Sequence, residues 1–456
     1  MSTVSQALAS FVSAIDAERM SDSVERKASE LLVDTIGCSV GAFTSPPVKA
    51  LRDAYLESSG TQNATVVGTA QRAALPEAAL INGTMGRYLD YNDTYMSLST
   101  ACHPSDHIMP LLSVAEVEGA TGGDLLEAIV AAYEVEARGL DEAPVDPNGF
   151  DYVTWGVYSS VAAVGRLMRL TETELVDAIG IAGASNNPLY VSRRGDVSMW
   201  KGIAHSYATH NAIKACQMAR NGITGPTAVF EEDDGFFEAI AESEVSFETT
   251  PDHDALRILQ TNIKPYACGY YIAAPVAALR EIMTEHGLEA DDIDHITVEI
   301  FETAADLLAT PDKWDTDLNR ETADHSIPYT IAVAAIDGDV GPEQYADDRL
   351  RDSTVHNLMQ RIDVHANEEL TAYRSREPSH IPSVVTVTSD GAEYRTRIDC
   401  PLGHAENPMS TDQLEAKMRT LCEGYLSDQQ IQTCLDRCWS FTDLETVAPL
   451  IEDLRI

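Results

Sequence analysis

"SDSVERKASELLVDTIGCSVGAF", residues 21–43, sets apolar residues at three- and four-residue spacing behind a serine, Ser21, that suits a helix N-cap. "TGGDLLEAIVAAYEVEARGL" (121–140) and "TETELVDAIGIAGA" (171–184) repeat the pattern. Thr171 and Glu174 stand at capping-box spacing. From Ser5 to about Ile263 nearly every periodic segment reads as helix, and its many Ala and Gly residues let helices approach closely. Residues 1–263 are therefore expected to form an all-α domain.

After Lys264 the texture changes. "HITVEIF" (295–301) alternates like a strand, and "SVVTVTSDGAEYRTRIDC" (383–400) predicts two strands joined at Asp390-Gly391. Helices are expected in "AAPVAALREIMTEHG" (273–287), "HSIPYTIAVAAIDG" (325–338) and "DDRLRDSTVHNLMQRI" (347–362). Residues 264–404 thus predict a smaller α+β domain. "TDQLEAKMRTLCEGYL" (411–426) reads as helix again, so 405–456 is expected to return to the first domain. The fold class is mainly α.

Asp and Glu total 73 against 31 Lys and Arg, a formal net charge of -42, and the acids are spread along the chain rather than gathered in a tail. At about 1 M salt the screening length falls to roughly 3 Å, which removes most of the self-repulsion of such a surface. Almost every cation is Arg. The lysines (Lys27, Lys49, Lys201, Lys214, Lys264, Lys313, Lys417) stand singly. The pattern predicts a protein built for molar salt and excludes nucleic acid and anionic membrane as natural partners.

The 8 cysteines show no Cys-x-x-Cys and no Cys-His spacing of a zinc site, so buried free thiols are expected. The N-terminus lacks the basic start and apolar core of a secretory leader, and no apolar run approaches the roughly 18 residues of a membrane span. A cytoplasmic protein is expected.

The densest polar stretch is "GRYLDYNDTYMSLSTACHPSDHIMP" (86–110), which gathers Asp90, Asn92, Asp93, Thr94, His103, Asp106 and His107 after a helix. One reading is a solvated loop with helix caps. The other is a general acid/base site in which His103 titrates near neutrality beside carboxylates. No further pair at helical ligand spacing accompanies it, so no metal is expected. Arg193 and Arg194 in "YVSRRGDVSMWKG" (190–202) suit either an anion-binding wall or a solvated surface.

"LDYNDTY" (89–95) followed by "HPSD" (103–106) resembles the signature of the MmgE/PrpD family, in the form of its 2-methylcitrate dehydratase branch. "VSMWKGIAHSYATHNA" (197–212), "IKPYACGYY" (263–271), "ADHSIPYTIAVAAIDGDVG" (323–341) and "CPLGHAENPMSTDQLEAK" (400–417) resemble further family blocks in family order. The resemblance implies that the smaller domain is a lid, that the protein is a homodimer, and that the active site lies between domains and takes a small polycarboxylate with no cofactor. It implies a catalytic set of Asp90, His103, Lys201, His325 and Tyr329. It also places Thr94 and Lys264 in the pocket, and further substrate contacts are expected, from the residues themselves, of Asp93, Tyr152 and Arg194.

A substrate with two or three carboxylates needs cations and hydroxyl donors, which Lys201, Lys264, Thr94 and Tyr329 offer. In the expected dehydration His103, positioned by Asp90, takes a proton from the carbon beside a carboxylate, and Tyr329 or His325 protonates the departing hydroxyl. The same set suits decarboxylation of cis-aconitate to itaconate, epimerisation of an amino-dicarboxylate, or polycarboxylate binding without turnover. Two departures bear on the choice. "GFDYVTW" (149–155) offers Tyr152 where many members carry His, and "KPYACGYYIAA" (264–274) has Gly269 where a cation is common.

Overall fold

The computed structural model describes residues 2–56, 61–195, 197–241, 243–253 and 255–456. The chain packs into two compact units: Met1–Ser192 with Gly202–Thr261 and Ser410–Ile456, and Arg193–Lys201 with Asn262–Met409. The fold is mainly α, with the longer strands confined to the smaller unit.

In the larger unit the periodic segments become helices Asp22–Gly41 (α1), Leu75–Tyr88 (α2), Ile108–Glu118 (α3), Gly122–Glu142 (α4), Val153–Leu167 (α5), Glu172–Gly183 (α6) and Ala204–Arg220 (α7). α4 packs on α5, and α5 on α7. α6 begins with the expected capping box, Glu174 accepting from the Thr171 amide at 2.8 Å. Ser21 stands at the N-cap of α1, but its hydroxyl meets Ser23 at 2.8 Å and caps nothing. Small residues do bring helices close: a Cβ on Gly83 of α2 would sit 2.5 Å from Ser206 of α7, and one on Gly156 of α5 would sit 2.6 Å from the His205 ring. Thr411–Cys422 packs along α1, where Lys417 donates to Asp34 at 2.5 Å and to the Tyr91 carbonyl at 2.7 Å.

The smaller unit is built on a four-stranded sheet of His295–Ile300 (β1), Ile362–Ala366 (β2), Ser383–Ser389 (β3) and Ala392–Ile398 (β4), in spatial order β2-β1-β3-β4. β1 runs parallel to β2 and antiparallel to β3. Ile296, Val298 and Ile300 face the core, as the alternation requires. β3 and β4 meet at Asp390 (φ 49°) and Gly391 (φ 79°), the positive φ pair of a two-residue hairpin turn. Helix Ala273–His286 lies across β3 and β4. Among the described residues no helix is long and apolar enough to cross a membrane.

Candidate active site

Within the larger unit, α2 ends at Tyr88 and the chain turns through Asp90, whose φ of 51° is left-handed. The turn is held by charge: Arg87 donates to Asp90 at 2.5 Å and its Nε lies 3.5 Å from Asp106, all three buried. Burial works against the Arg87 charge, but Asp90, Tyr152 and Asp106 outweigh it and raise its pKa. Asn92 donates to Ser105 and to Asp106, each at 2.9 Å, and the Tyr152 hydroxyl donates to Asp106 at 3.3 Å.

His103 ends this turn, beside the short helix Pro104–His107. Its Nδ1 lies 2.7 Å from the Asp93 main-chain carbonyl and 3.1 Å from the Thr94 hydroxyl, which itself donates to that carbonyl at 2.8 Å. A carbonyl oxygen has no proton to give, so Nδ1 carries the hydrogen and the neutral ring keeps its lone pair on Nε2. An orienting partner of His103 is thus the Asp93 carbonyl, while Arg87 binds the Asp90 carboxylate. The Tyr152 ring stands edge-on to His103 at 5.7 Å.

The Asp93 carboxylate is buried and faces protein. One oxygen accepts from the Ser105 amide at 3.1 Å and its hydroxyl at 2.7 Å, the other from the Tyr133 hydroxyl at 2.7 Å. Burial pushes its pKa up to about 7 despite those donors. On the far side of Tyr152, the rings of His107 and His205 cross at 4.3 Å, and Glu136 lies 3.6 Å from the first and 3.8 Å from the second. Burial, with His205 adding to it, holds His107 down to about 4, while burial lifts Glu136 to about 7. Ligand atoms of this trio lie within 4.8 Å of one another, but His107 already has Pro104 and Ser159 on its two nitrogens, at 2.9 and 2.8 Å. That arrangement fits a satisfied core histidine better than a metal ligand.

In the smaller unit, Lys201 and His325 converge on Asp324. Lys201 Nζ lies 3.2 Å from Oδ1, and His325 Nδ1 lies 2.6 Å from the same oxygen. The short contact makes Nδ1 a donor, so the 2.9 Å approach of Lys201 Nζ to Nδ1 brings two donors to one carboxylate. Asp324 is buried, Arg320 lies 3.6 Å from its second oxygen, and Gly269 leaves room for the His325 ring, which a Cβ there would meet at 3.3 Å. Arg193 donates to the Lys201 carbonyl at 3.1 Å, whereas Arg194 is exposed. Lys264 is fully buried. The Tyr329 hydroxyl donates to the Gln344 carbonyl at 2.6 Å and not to the Lys201 group.

His380, Cys400 and His404 form another cluster in this unit. His404 accepts from the Glu406 amide and donates to the Ser379 carbonyl, each at 3.1 Å, while His380 joins Tyr373 and Glu406 at 2.9 and 3.0 Å. With every ring nitrogen engaged, the cluster serves the turn rather than an ion.

Residues 6–248 match the MmgE/PrpD N-terminal domain and residues 266–440 the MmgE/PrpD C-terminal domain. The chain belongs to the MmgE/PrpD family. It is 26% identical over 394 residues to the 2-methylcitrate dehydratase of Salmonella typhimurium, covering 82% of this chain and 80% of the relative. It is 28% identical over 438 residues to the alkylcitrate dehydratase phiI of a fungal species, covering 90% and 86%. The mitochondrial 2-methylcitrate dehydratase of Yarrowia lipolytica is 23% identical over 424 residues, with 88% and 81% covered.

In this MmgE/PrpD chain the sequence pattern missed Arg87, Ser105, Tyr133 and Asp324 as parts of the two clusters. Arg87 and Asp90 carry a signal, the i,i+3 spacing of an ion pair. Asp324 adjoins His325 in the chain. Tyr133 reads only as the apolar face of α4. Lys313 is also buried, and burial lowers its pKa against the pull of Asp312 and Asp324.

Proposed function

We propose that this chain is a dehydratase that uses its own side chains to remove water from a citrate-like hydroxy-polycarboxylate, with 2-methylcitrate as the leading substrate. The observation that carries the reading is the 2.7 Å bond from His103 Nδ1 to the Asp93 carbonyl, which makes Nε2 the basic nitrogen, in a family member whose relatives are named for this reaction. His103 takes the proton from the carbon beside a carboxylate, and the electron pair forms the double bond as the hydroxyl leaves. Thr94, Tyr152 and Asp90 keep their place in the proposed set with His103. Lys201, Lys264 and Arg194 are proposed as cations for substrate carboxylates, and His325, seated on Asp324, as the proton donor to the leaving group. Tyr329 enters as support for that unit.

We further read the protein as a cytoplasmic homodimer of a salt-loving cell. Eight free thiols support a reducing compartment. Exposed Leu189, Val191, Tyr207 and Met218 in the larger unit support a covered face. Lys27, Lys201, Lys264, Lys313 and Lys417 are buried while only Lys49 and Lys214 are exposed, so the surface has been cleared of lysine. The melting temperature is then expected to climb between dilute buffer and about 2 M KCl.

The substrate test is incubation in about 2 M KCl, a level chosen for screening, with 2-methylcitrate, citrate and cis-aconitate. Growth of the conjugated-product absorbance from 2-methylcitrate is the expected result. Carbon dioxide from cis-aconitate would replace dehydration by decarboxylation, and thermal stabilisation by the acids without turnover would make this a binding protein.

A further inference from the structure

We infer that Asp93, Ser105 and Tyr133 form a positioning clamp that fixes the tautomer of His103, and that the Asp93 carboxylate does not bind substrate; the inference rests on the reading of His103 as the base.

An orienting group for a catalytic histidine is commonly a carboxylate on the second ring nitrogen. Here that place is taken by the Asp93 main-chain carbonyl, 2.7 Å from Nδ1. A carbonyl holds the hydrogen on Nδ1 without bringing a negative charge to the ring, which suits a base that must start neutral. Such a hold is only as stable as the peptide that carries the carbonyl, and the Asp93 side chain anchors that peptide.

Three donors reach the carboxylate. The Ser105 amide and hydroxyl come from the short helix next to His103, at 3.1 and 2.7 Å, and the Tyr133 hydroxyl comes from the middle of α4 at 2.7 Å. Asp93 and Tyr133 are 0 and 1% exposed, so both carboxylate oxygens are turned to protein donors. The clamp ties the two ends of the turn, Asp93 and Ser105, to one helix. Within it Thr94 bridges, meeting the carbonyl at 2.8 Å and Nδ1 at 3.1 Å. Removing the Tyr133 hydroxyl strips one oxygen of its partner and frees the peptide to rotate, while deleting no side chain that is proposed to face the substrate.

The test compares Tyr133→Phe and Ser105→Ala with the wild type, and with Tyr158→Phe as a control tyrosine whose buried hydroxyl has no hydrogen-bond partner among the described residues. Two readouts are taken. Steady-state kinetics with 2-methylcitrate are expected to show kcat reduced roughly tenfold to a hundredfold with KM nearly unchanged, as for a small misplacement of a catalytic group. Nitrogen NMR of histidine-labelled protein, with His103 assigned by loss of its signal in His103→Gln, is expected to show an Nδ1-protonated ring in the wild type. In the two clamp variants a share of the Nε2-protonated form should appear.

An Nε2-protonated His103 in the wild type, or a ring signature unchanged in both clamp variants, would overturn the clamp. A KM rise at constant kcat would return Asp93 to substrate binding. If none of the three acids is turned over, the proposed reaction fails while the tautomer measurement still decides the clamp.

Discussion

The two histidines offered as proton-transfer groups are held in different ways, one in each unit. In the larger unit His103 leans on a neutral carbonyl, and the surrounding carboxylates Asp90, Asp93 and Asp106 are bound by Arg87, Ser105, Tyr133 and Asn92. In the smaller unit His325 leans on the Asp324 carboxylate, beside a lysine that shares the same oxygen. A carbonyl partner suits a ring that begins without its second proton. A carboxylate partner suits a ring that carries it. One residue type is thereby prepared for two tasks by the group behind it, and the proposed roles of base and acid follow from that contrast.

The sharpest way to break the contrast is to strip the charge from one side. Arg87→Met leaves Asp90 and Asp106 buried without their cation and is expected to cost about 3–5 kcal/mol of stability, read by denaturant unfolding in high salt. Asp324→Asn keeps the shape of the other cluster and removes the Asp324 charge from beside Lys201 and His325. A smaller loss of about 1–3 kcal/mol is expected there, because an amide oxygen can still accept. If the two losses came out reversed, the larger unit would not be the one that depends on internal charge.

A finer test lies behind Tyr152, where Glu136 is buried between His107 and His205 and neither carboxylate oxygen has a hydrogen-bond partner among the described residues. Its folded-state pKa of about 7 exceeds the ordinary carboxylate value, so between roughly pH 4 and 7 the folded chain binds the extra proton and stability rises as pH falls. Glu136→Gln should therefore stabilise the protein at pH 8.5, by about 1–3 kcal/mol, and make almost no difference at pH 4.5. A variant that destabilises at high pH would mean that the charged carboxylate is wanted where it is. The smallest effect is expected at the surface: Lys214→Arg should change stability by less than about 0.5 kcal/mol, in contrast to any change at the buried lysines.

Much of this was legible in the chain. Periodicity and the Thr171–Glu174 box specify helices, and Asp390-Gly391 specifies the hairpin, because capping and turn geometry are local and belong to particular residue types. The polar density of residues 86–110 marked the cluster around His103. What stayed hidden depends on long-range packing. Tyr133 is 40 residues from Asp93 and sits on a helix face that reads as core. Arg193–Lys201 joins the smaller unit although the chain on either side belongs to the larger one, and no composition shift announces it. Tyr329 carries a hydroxyl at a plausible place in the sequence, yet the turn at Gln344 takes it. Lone lysines in a chain whose few cations are mostly Arg point to particular places, and Lys201 and Lys264 are buried.

The most direct test of the account is the turnover of His103→Gln with 2-methylcitrate, measured in about 2 M KCl with binding followed separately by thermal shift. The expected result is a kcat lower by about 10²–10⁴, the range of a lost general base, while the acid still stabilises the protein. A variant that keeps its rate within about threefold of the wild type would contradict it, because a general base contributes far more than that.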